Sequence, residues 1–187
     1  MKISEKCLIF DSREEWRAWL EKNHASEQEA WLLHSKKNAA RLFLTYEEAV
    51  EEALCFGWID GLLRSIDNEA FALRYTPRKS RSIWSVNNQC RAEKMIQEGR
   101  MTAAGLEKIA EAKENGEWQA AIAREDVSTI PEDLMQKLKM TKTWATFKNW
   151  PASRKKSYLY WLDSAKKPET RQKRIREIVE MAKSRPK

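Results

Sequence analysis

The sequence predicts an α+β protein that is mainly helical, with a small antiparallel sheet in its first two-thirds and a helical subdomain at its C-terminus. Four Val stand against 21 Ala and 15 Leu, a composition that favours helices over strands. Nine Trp and a hydrophobic content of 42% in 187 residues supply a buried core. Strand patterns occur only up to Pro77, whereas helical patterns continue to the end of the chain.

Two strands and two helices are predicted before Gly57. Residues 7–10 form a short apolar run, and Asp11 opens a helix as the first member of a capping box. Ala30–Ser35 is a second apolar run of strand length. Thr45, with a glutamate three residues later, begins another helix, which Gly57 ends.

An antiparallel hairpin and two further helices come next. Residues 62–66 and 70–75 are short runs separated by a turn sequence, a pattern typical of a hairpin. A helix is predicted from about residue 83 to residue 98. Thr102 begins the following helix, which ends at Gly116.

The last third of the chain contains only helical patterns. An irregular stretch near residue 126 indicates a boundary, so we predict an α+β domain over residues 1–125 and a basic helical segment over 126–187, packed on it. Pro131 fits the first position of a short helix, and Ser153 is the expected N-cap of a longer one. Pro168 opens the last helix.

The sign of the charge changes along the chain. Residues 1–133 hold 19 Lys and Arg against 24 acids, a net charge of −5, whereas residues 134–187 hold 16 against 4, a net charge of +12. The basic tail can therefore dock on its own acidic half, which leaves only a local surplus of cations for an external partner.

Several classes of protein are excluded by the sequence. No run approaches the roughly 18 consecutive apolar residues of a membrane span, and the first residues lack the apolar region of a signal peptide. The three Cys are odd in number and far apart, which argues against a disulfide framework and a Cys-based zinc site. We expect a soluble cytoplasmic protein with reduced thiols, no cofactor, no metal and no membrane contact.

The loop after the hairpin is the first candidate binding site. Arg78, Lys79 and Arg81 lie close to Trp84 in it, and these residues could hold a phosphate and stack on its organic group. Trp58 flanks the same hairpin, and we expect it to share a surface with Trp84 and Arg81. The loop contains no glycine, which excludes a P-loop or a dinucleotide fingerprint. The alternative is a solvated loop with Trp84 in the core.

Two sets of cations in the tail are further candidates. Arg154, Lys155 and Lys156 follow the expected cap at the start of a helix, where cations are unfavourable unless an anion compensates them; the alternative is that they are merely solvated. Arg171 and Arg174 flank the apolar stripe of the last helix, which extends from residue 175 to residues 181 and 182. Their partner is an anionic ligand or, as we favour, a carboxylate of the protein.

Catalytic residues are only weakly indicated. Cys55 could act as a nucleophile with His34 and Asp60, but Cys55 directly follows two apolar helix positions and free Cys is usually a core residue. A turn is expected at Asp60, because a glycine follows it. The four acids of the preceding helix favour a solvated face over a loose cation site: Glu47, Glu48, Glu51 and Glu52.

Several ordered motifs resemble the bacterial YdeI/OmpD-associated family. They are Glu-Ala-Leu-Cys-Phe-Gly-Trp-Ile-Asp-Gly at 52–61, Tyr-Thr-Pro-Arg-Lys-Ser-Arg-Ser-Ile-Trp-Ser at 75–85 and Gly-Arg-Met at 99–101. The tail, from the basic triplet at 154–156 to residue 175, is similar to the bacteriocin-protection (OmdA-like) segment of that family. The resemblance implies a role in resistance to bacteriocins or antimicrobial peptides, and it implies no reaction, cofactor or catalytic residue.

The favoured hypothesis is a non-catalytic, stress-resistance protein that binds a phosphate-containing small molecule or an acidic partner. The alternative is an enzyme for a small phosphorylated or nucleotide-like substrate, with Asp60 or Cys55 as the reactive group. Non-specific nucleic-acid binding is a third hypothesis, because the tail is basic. Oligomeric state and ligand identity stay open.

Overall fold

The computed structural model describes residues 7–37, 39–40 and 43–183, and about 52% of them are helical. The chain divides into two compact units, Met1–Ala120 (unit 1) and Ala121–Lys187 (unit 2). The α+β class predicted from the sequence is confirmed, since nine helices and one three-stranded antiparallel sheet occur in the described residues.

Unit 1 holds the sheet and the first four helices, and a short helix follows where the chain passes to unit 2. In chain order the elements are α1 (Arg13–Asn23), β1 (Ala30–Ser35), α2 (Tyr46–Cys55), β2 (Trp58–Ser65), β3 (Ala70–Pro77), α3 (Val86–Gln97), α4 (Ala103–Glu114) and α5 (Ala120–Ala123).

The sheet has the order β1-β3-β2, with β3 antiparallel to both neighbours. The predicted hairpin is present, but β2 begins at Trp58, four residues earlier than expected. Asp60 therefore lies inside a strand, beside a register shift, and the expected tight turn there is wrong. Residues 7–10 do not form a strand either, because Leu8 makes only an isolated parallel bridge to Leu32.

Local capping explains where the helices of unit 1 begin. Thr45 and Glu48 form the predicted capping box of α2, and Gly57, at φ +72°, follows its last turn. Ser12, rather than Asp11, caps α1. Ser85 caps α3, which therefore starts three residues later than predicted.

The core of unit 1 is built on aromatic side chains that find polar partners. Trp16 is fully buried and its indole Nε1 donates to the carbonyl of Ala49, 3.0 Å away. Trp58 and Tyr75 are also buried, and Tyr75 packs on Trp16 with ring centroids 5.6 Å apart. These contacts attach α1 to α2 and to the sheet.

Two of the four acids of α2, Glu51 and Glu52, are buried, so the solvated face expected there is wrong for them, whereas Glu47 is exposed. The Glu52 side chain is fully buried and accepts hydrogen bonds from Arg13 (2.5 Å), Arg17 (2.7 Å) and Arg100 (2.6 Å). Burial alone would raise the pKa of Glu52, but the hydrogen bonds from these arginines hold it below its ordinary value. Three arginines from two segments of the chain thus converge on one carboxylate.

Glu51 extends this network. Its buried carboxylate pairs with Arg13 at 2.8 Å and with Lys94 of α3 at 2.6 Å. Charge periodicity could not reveal the burial, because all of these partners are distant in sequence.

Helix α4 approaches the end of α2 very closely at Gly105. A β-carbon at this position would lie 2.4 Å from the carbonyl oxygen of Cys55 and 2.7 Å from that of Leu54. The Thr102 hydroxyl, one turn earlier, donates to the same Cys55 carbonyl at 2.6 Å. A side chain at position 105 would therefore force the two helices apart.

Unit 2 is a small helical assembly around one apolar core. Its helices are α6 (Glu132–Met140), α7 (Trp144–Lys148), α8 (Ala152–Asp163) and α9 (Pro168–Lys183). The core is formed by Leu134, Leu138, Phe147, Trp150, Leu159, Leu162, Ile175, Ile178, Val179 and Ala182.

Three details of unit 2 differ from the sequence predictions. Pro131 is the N-cap of α6 and not its first residue. Pro151 precedes α8, so Ser153 lies inside that helix and does not cap it. Met181, expected in the apolar stripe of α9, is 46% exposed. Pro168 does open α9, as predicted.

None of the helices in the described ranges combines the length and the apolar character that crossing a bilayer requires.

Replacing Glu52 with Gln should destabilise unit 1 by about 3–5 kcal/mol, because three guanidinium groups then lose their buried counter-charge. The control is Glu47→Gln on the same helix. Glu47 pairs with Arg91 at an exposed site, so its loss should cost at most about 1 kcal/mol. Urea unfolding, followed by tryptophan fluorescence, measures both changes.

The loss of stability caused by Glu52→Gln should depend on pH. The pKa of Glu52 is lower in the folded protein than its ordinary value of 4.5. The ionised carboxylate therefore contributes fully to the free energy of unfolding above pH 4.5, and this contribution is lost as pH falls through the folded pKa. The stability gap between wild type and Glu52→Gln should therefore narrow below about pH 4.5. A gap that is constant from pH 7 to pH 3 would contradict the ionised network.

Candidate functional site

Arg78 directly follows β3, and its position is fixed by the sheet. Trp58 at the start of β2 pairs with Pro77 at the end of β3. One residue further on each side, the amide of Arg78 donates to the carbonyl of Gly57 at 2.8 Å. The positive φ of Gly57 turns the chain from α2 into β2 and directs this carbonyl to Arg78.

The guanidinium of Arg78 is buried without a carboxylate partner. The residue is only 3% exposed. Its Nη1 donates to the carbonyl of Ile83 at 3.2 Å, and its Cζ lies 3.8 Å from the ring centroid of Trp84. Its Nε and Nη2 have no hydrogen-bond partner among the described residues.

Burial dominates the electrostatics of this group. Desolvation lowers the pKa of Arg78 to about 10, and the charge of Asp60 opposes that shift only in part. Arg78 therefore remains a cation at neutral pH.

Asp60 itself accepts a hydrogen bond from the hydroxyl of Tyr46 at 3.0 Å. Burial and this carboxylate raise the pKa of Tyr46 to about 12, so its hydroxyl stays protonated and keeps donating.

The rest of the loop adds positive charge at the surface. Lys79 and Arg81 are exposed, and the loop from 78 to 85 contains no acid. A turn closes it, since the Ser82 amide donates to the Lys79 carbonyl at 2.9 Å and the Ser82 hydroxyl accepts from the Lys79 amide. The Asn115 side chain after α4 donates to the Ser80 carbonyl and holds the turn from the other side.

The two tryptophans that we expected on a common surface are both buried. Trp58 is 1% exposed, its Nε1 donates to the His24 carbonyl at 3.1 Å, and its ring packs edge-on against Trp19. Trp84 is 2% exposed and packs on Trp118 with ring centroids 4.8 Å apart. The structure therefore brings Trp84 to Arg78 but directs the Trp58 ring into the core.

Cys55 and His34 lie in the core of unit 1. Burial raises the pKa of the Cys55 thiol to about 12, so the thiolate needed for nucleophilic attack is not populated at neutral pH. Burial lowers the pKa of His34, whose Nδ1 contacts the Leu44 carbonyl and whose Nε2 contacts the Tyr75 hydroxyl. A neutral imidazole that donates to Leu44 and accepts from Tyr75 satisfies both contacts. Both side chains thus have the surroundings of packed core residues.

Each cation of the basic triplet in α8 has a partner inside unit 2. The Arg154 guanidinium carbon lies 3.9 Å from the Trp150 ring centroid. Lys155 donates to the carbonyl of Lys148 at the end of α7, where a cation is favourable. Lys156 pairs with Glu125. These contacts explain why cations are tolerated near the start of α8.

Arg171 and Arg174 also have internal partners. Arg171 donates from Nε to Asp133 at 2.6 Å and from Nη1 to Asp163 at 3.3 Å, which is the intramolecular salt bridge that we favoured. The carboxylate partner that we favoured for Arg174 is wrong, since Arg174 donates to the Trp161 carbonyl and lies over the Trp161 ring, 5.0 Å from its centroid. Of the predicted ligand-binding arginines, Arg78 is the one that the structure leaves with unpaired buried N–H groups.

Comparison with known families assigns the two parts of the chain to different models. Residues 8–108, more than half of the chain, match the model described as a domain of unknown function, DUF8412. The chain belongs to this family. Residues 127–185 match the model described as Bacteriocin-protection, YdeI or OmpD-Associated, which confirms the resemblance in the tail. No curated protein and no solved structure matches the chain.

The two matches follow the two units. The DUF8412 match lies within unit 1 and contains the loop around Arg78, whereas the bacteriocin-protection match lies within unit 2. The motifs at 52–61, 75–85 and 99–101 therefore belong to DUF8412 and not to the segment that carries the bacteriocin-protection description. Together the matches fit a protein of the bacteriocin-protection type.

The structure predicts the order in which the three thiols react. Cys90 is exposed, Cys7 is half-buried with a raised pKa, and Cys55 is buried. With iodoacetamide at pH 8, peptide mapping should find Cys90 alkylated first and Cys55 alkylated only after unfolding. In Cys90→Ser the fast phase should disappear. Fast alkylation of Cys55 in the folded protein would contradict its core position and would support the hypothesis that Cys55 is a catalytic nucleophile.

Proposed function

We propose that the protein is a non-catalytic binder of a small phosphate-containing anion, held in unit 1 by the guanidinium of Arg78. The observation that carries this proposal is the buried, unpaired edge of Arg78. Nε and Nη2 lie on the same edge of a guanidinium, and both lack a partner among the described residues. That edge is the one that arginine presents when it binds two oxygens of a phosphate.

The energetics of the site favour an anion. A buried cation normally has a charged partner, because desolvation costs several kcal/mol per ion. Arg78 has one backbone carbonyl and the Trp84 ring in place of a carboxylate, and a desolvated cation–π contact contributes about 2 kcal/mol. Two charge-assisted hydrogen bonds to an anion would supply the missing compensation.

The exposed neighbours of Arg78 support the choice of a multiply charged anion. Lys79 and Arg81 lie in the same loop with exposed side chains and no acid between them. They would attract the ligand and contact the oxygens that Arg78 does not reach. Because Arg78 is buried and its Nη1 donates to the Ile83 carbonyl, the proposal requires residues 79–83 to move away from Arg78 when the anion enters.

In this proposal unit 1 senses or carries the anion in the cytoplasm, and unit 2 supplies the bacteriocin-protection module of a stress-resistance protein. The cations of α8 and α9 are not part of the site, since their internal partners already compensate them.

Phosphate, pyrophosphate and AMP form the test series, in low-salt buffer at constant ionic strength. At an anion concentration ten times Kd, the melting temperature should rise by about 3 °C. Arg78→Met should abolish the rise without loss of stability, because replacing an uncompensated buried charge by an apolar side chain is neutral or stabilising. The matched control is Arg74→Met in β3, whose half-buried arginine pairs with Glu29; it should keep the rise.

Two results would overturn the proposal. One is the absence of a shift with every anion of the series in the wild-type protein. The other is an equal shift in wild type and Arg78→Met, which would place binding elsewhere. Amide hydrogen exchange locates the site independently, since bound anion should change the exchange of residues 79–83 and leave α9 unchanged.

A further inference from the structure

Unit 2 contains a cavity that the anion site does not involve. Its volume is about 180 Å³, and it lies between α7, the start of α8 and the segment that precedes α6. Its walls are mainly apolar and its rim is cationic. The apolar residues are Val127, Ile130, Trp144 and Phe147, the cations are Lys148 and Lys155, and Ser128 is the polar lining residue.

One wall of the cavity is formed by Trp144, whose ring lies nearly parallel to the ring of Phe147. Trp144 and Phe147 have ring centroids 6.4 Å apart and planes inclined by 18°. Phe147 is fully buried in the core of unit 2 and supports the half-buried Trp144 ring. A flat apolar group that enters the cavity would therefore meet the Trp144 ring and the aliphatic side chains of Val127 and Ile130.

The rim supplies positive charge and hydrogen-bond donors. The Lys155 ammonium uses one N–H on the Lys148 carbonyl, at 3.1 Å, and retains two others. Lys148 carries an exposed ammonium on the same rim.

Cations outnumber acids around this rim. The residues that line the cavity in the described part of the chain include no acid. Of the two acids just before its wall, Glu125 pairs with Lys156, and Asp126 accepts from Thr129 and from Ser128, which lines the cavity. Unit 2 as a whole holds 17 Lys and Arg against 8 acids. The charge around the cavity therefore favours an anion.

We propose that this cavity binds a small aryl carboxylate, with its aromatic ring against Trp144 and the carboxylate at Lys148 and Lys155. The size of the cavity selects the ring, because an apolar cavity of about 150 Å³ accommodates benzene. The cationic rim selects the carboxylate over a neutral or cationic aryl compound.

A second cavity of unit 2 provides an internal contrast. It measures about 330 Å³ and is also aromatic, since Tyr158 and Trp161 line it, but its one charged lining residue in the described chain is Glu177. An aryl ammonium compound should prefer that cavity, and an aryl carboxylate should avoid it. The two cavities thus predict opposite charge preferences for otherwise similar ligands.

The proposal is tested with 4-fluorophenylacetate, using ¹⁹F line broadening on the full-length protein. Saturable binding with Kd of about 1 mM is expected for a ligand of this size. The neutral analogue 4-fluorobenzyl alcohol should bind at least threefold more weakly. In a ¹⁵N spectrum, the indole N–H of Trp144 should shift with 4-fluorophenylacetate, and that of Trp161 should not.

The double variant Lys148→Gln/Lys155→Gln should weaken binding about tenfold, and it changes only rim side chains, so the fold is retained. The matched control is Lys166→Gln, an exposed lysine of the same unit outside the cavity, which should change Kd less than twofold. Absence of saturable binding, equal binding of acid and alcohol, an unchanged Kd in the double variant or a shift at Trp161 instead of Trp144 would each overturn the proposal. Wild-type phosphate binding at Arg78 is unaffected by any of these results.

Discussion

The structure of unit 1 depends on one buried carboxylate. Glu52 lies in the middle of α2, and the three arginines that donate to it come from two turns of α1 and from the segment before α4. A buried carboxylate is stable only when its hydrogen-bonding capacity is filled, and a guanidinium is stable there only beside an anion. The helices of unit 1 are therefore attached to α2 by charge as well as by apolar packing.

Features with a local cause were predictable from the sequence. The capping box at Thr45, the end of α2 at Gly57, the hairpin and the start of α9 at Pro168 each depend on residues within four positions. Contacts between distant segments were not predictable. The burial of Glu52 depends on arginines 35 to 48 positions away, and an acidic helix face without those partners would be solvated.

The candidate site shows the same division. The cationic loop was recognised from residue types alone, because three cations lie near a tryptophan within seven positions. The difference between Arg78 and Arg171 was not recognisable. Arg171 lies opposite Asp133 and Asp163, whereas the first residue after β3 faces a carbonyl and a ring. Which arginine lacks a counter-charge is decided by the register of the sheet and the packing of helices.

The absence of a side chain at Gly105 lets α4 lie close to the end of α2. This spacing also affects the surroundings of Glu52 and of Arg78. The first turn of α4 contacts the carbonyls of residues 54 and 55 at Gly105, and the preceding Ala104 lies beside Gly57. Arg100, five positions before Gly105, reaches Glu52, and the Gly57 carbonyl receives the amide of Arg78. One helix-to-helix distance therefore sets both how Arg100 meets Glu52 and how the Gly57 carbonyl meets the amide of Arg78.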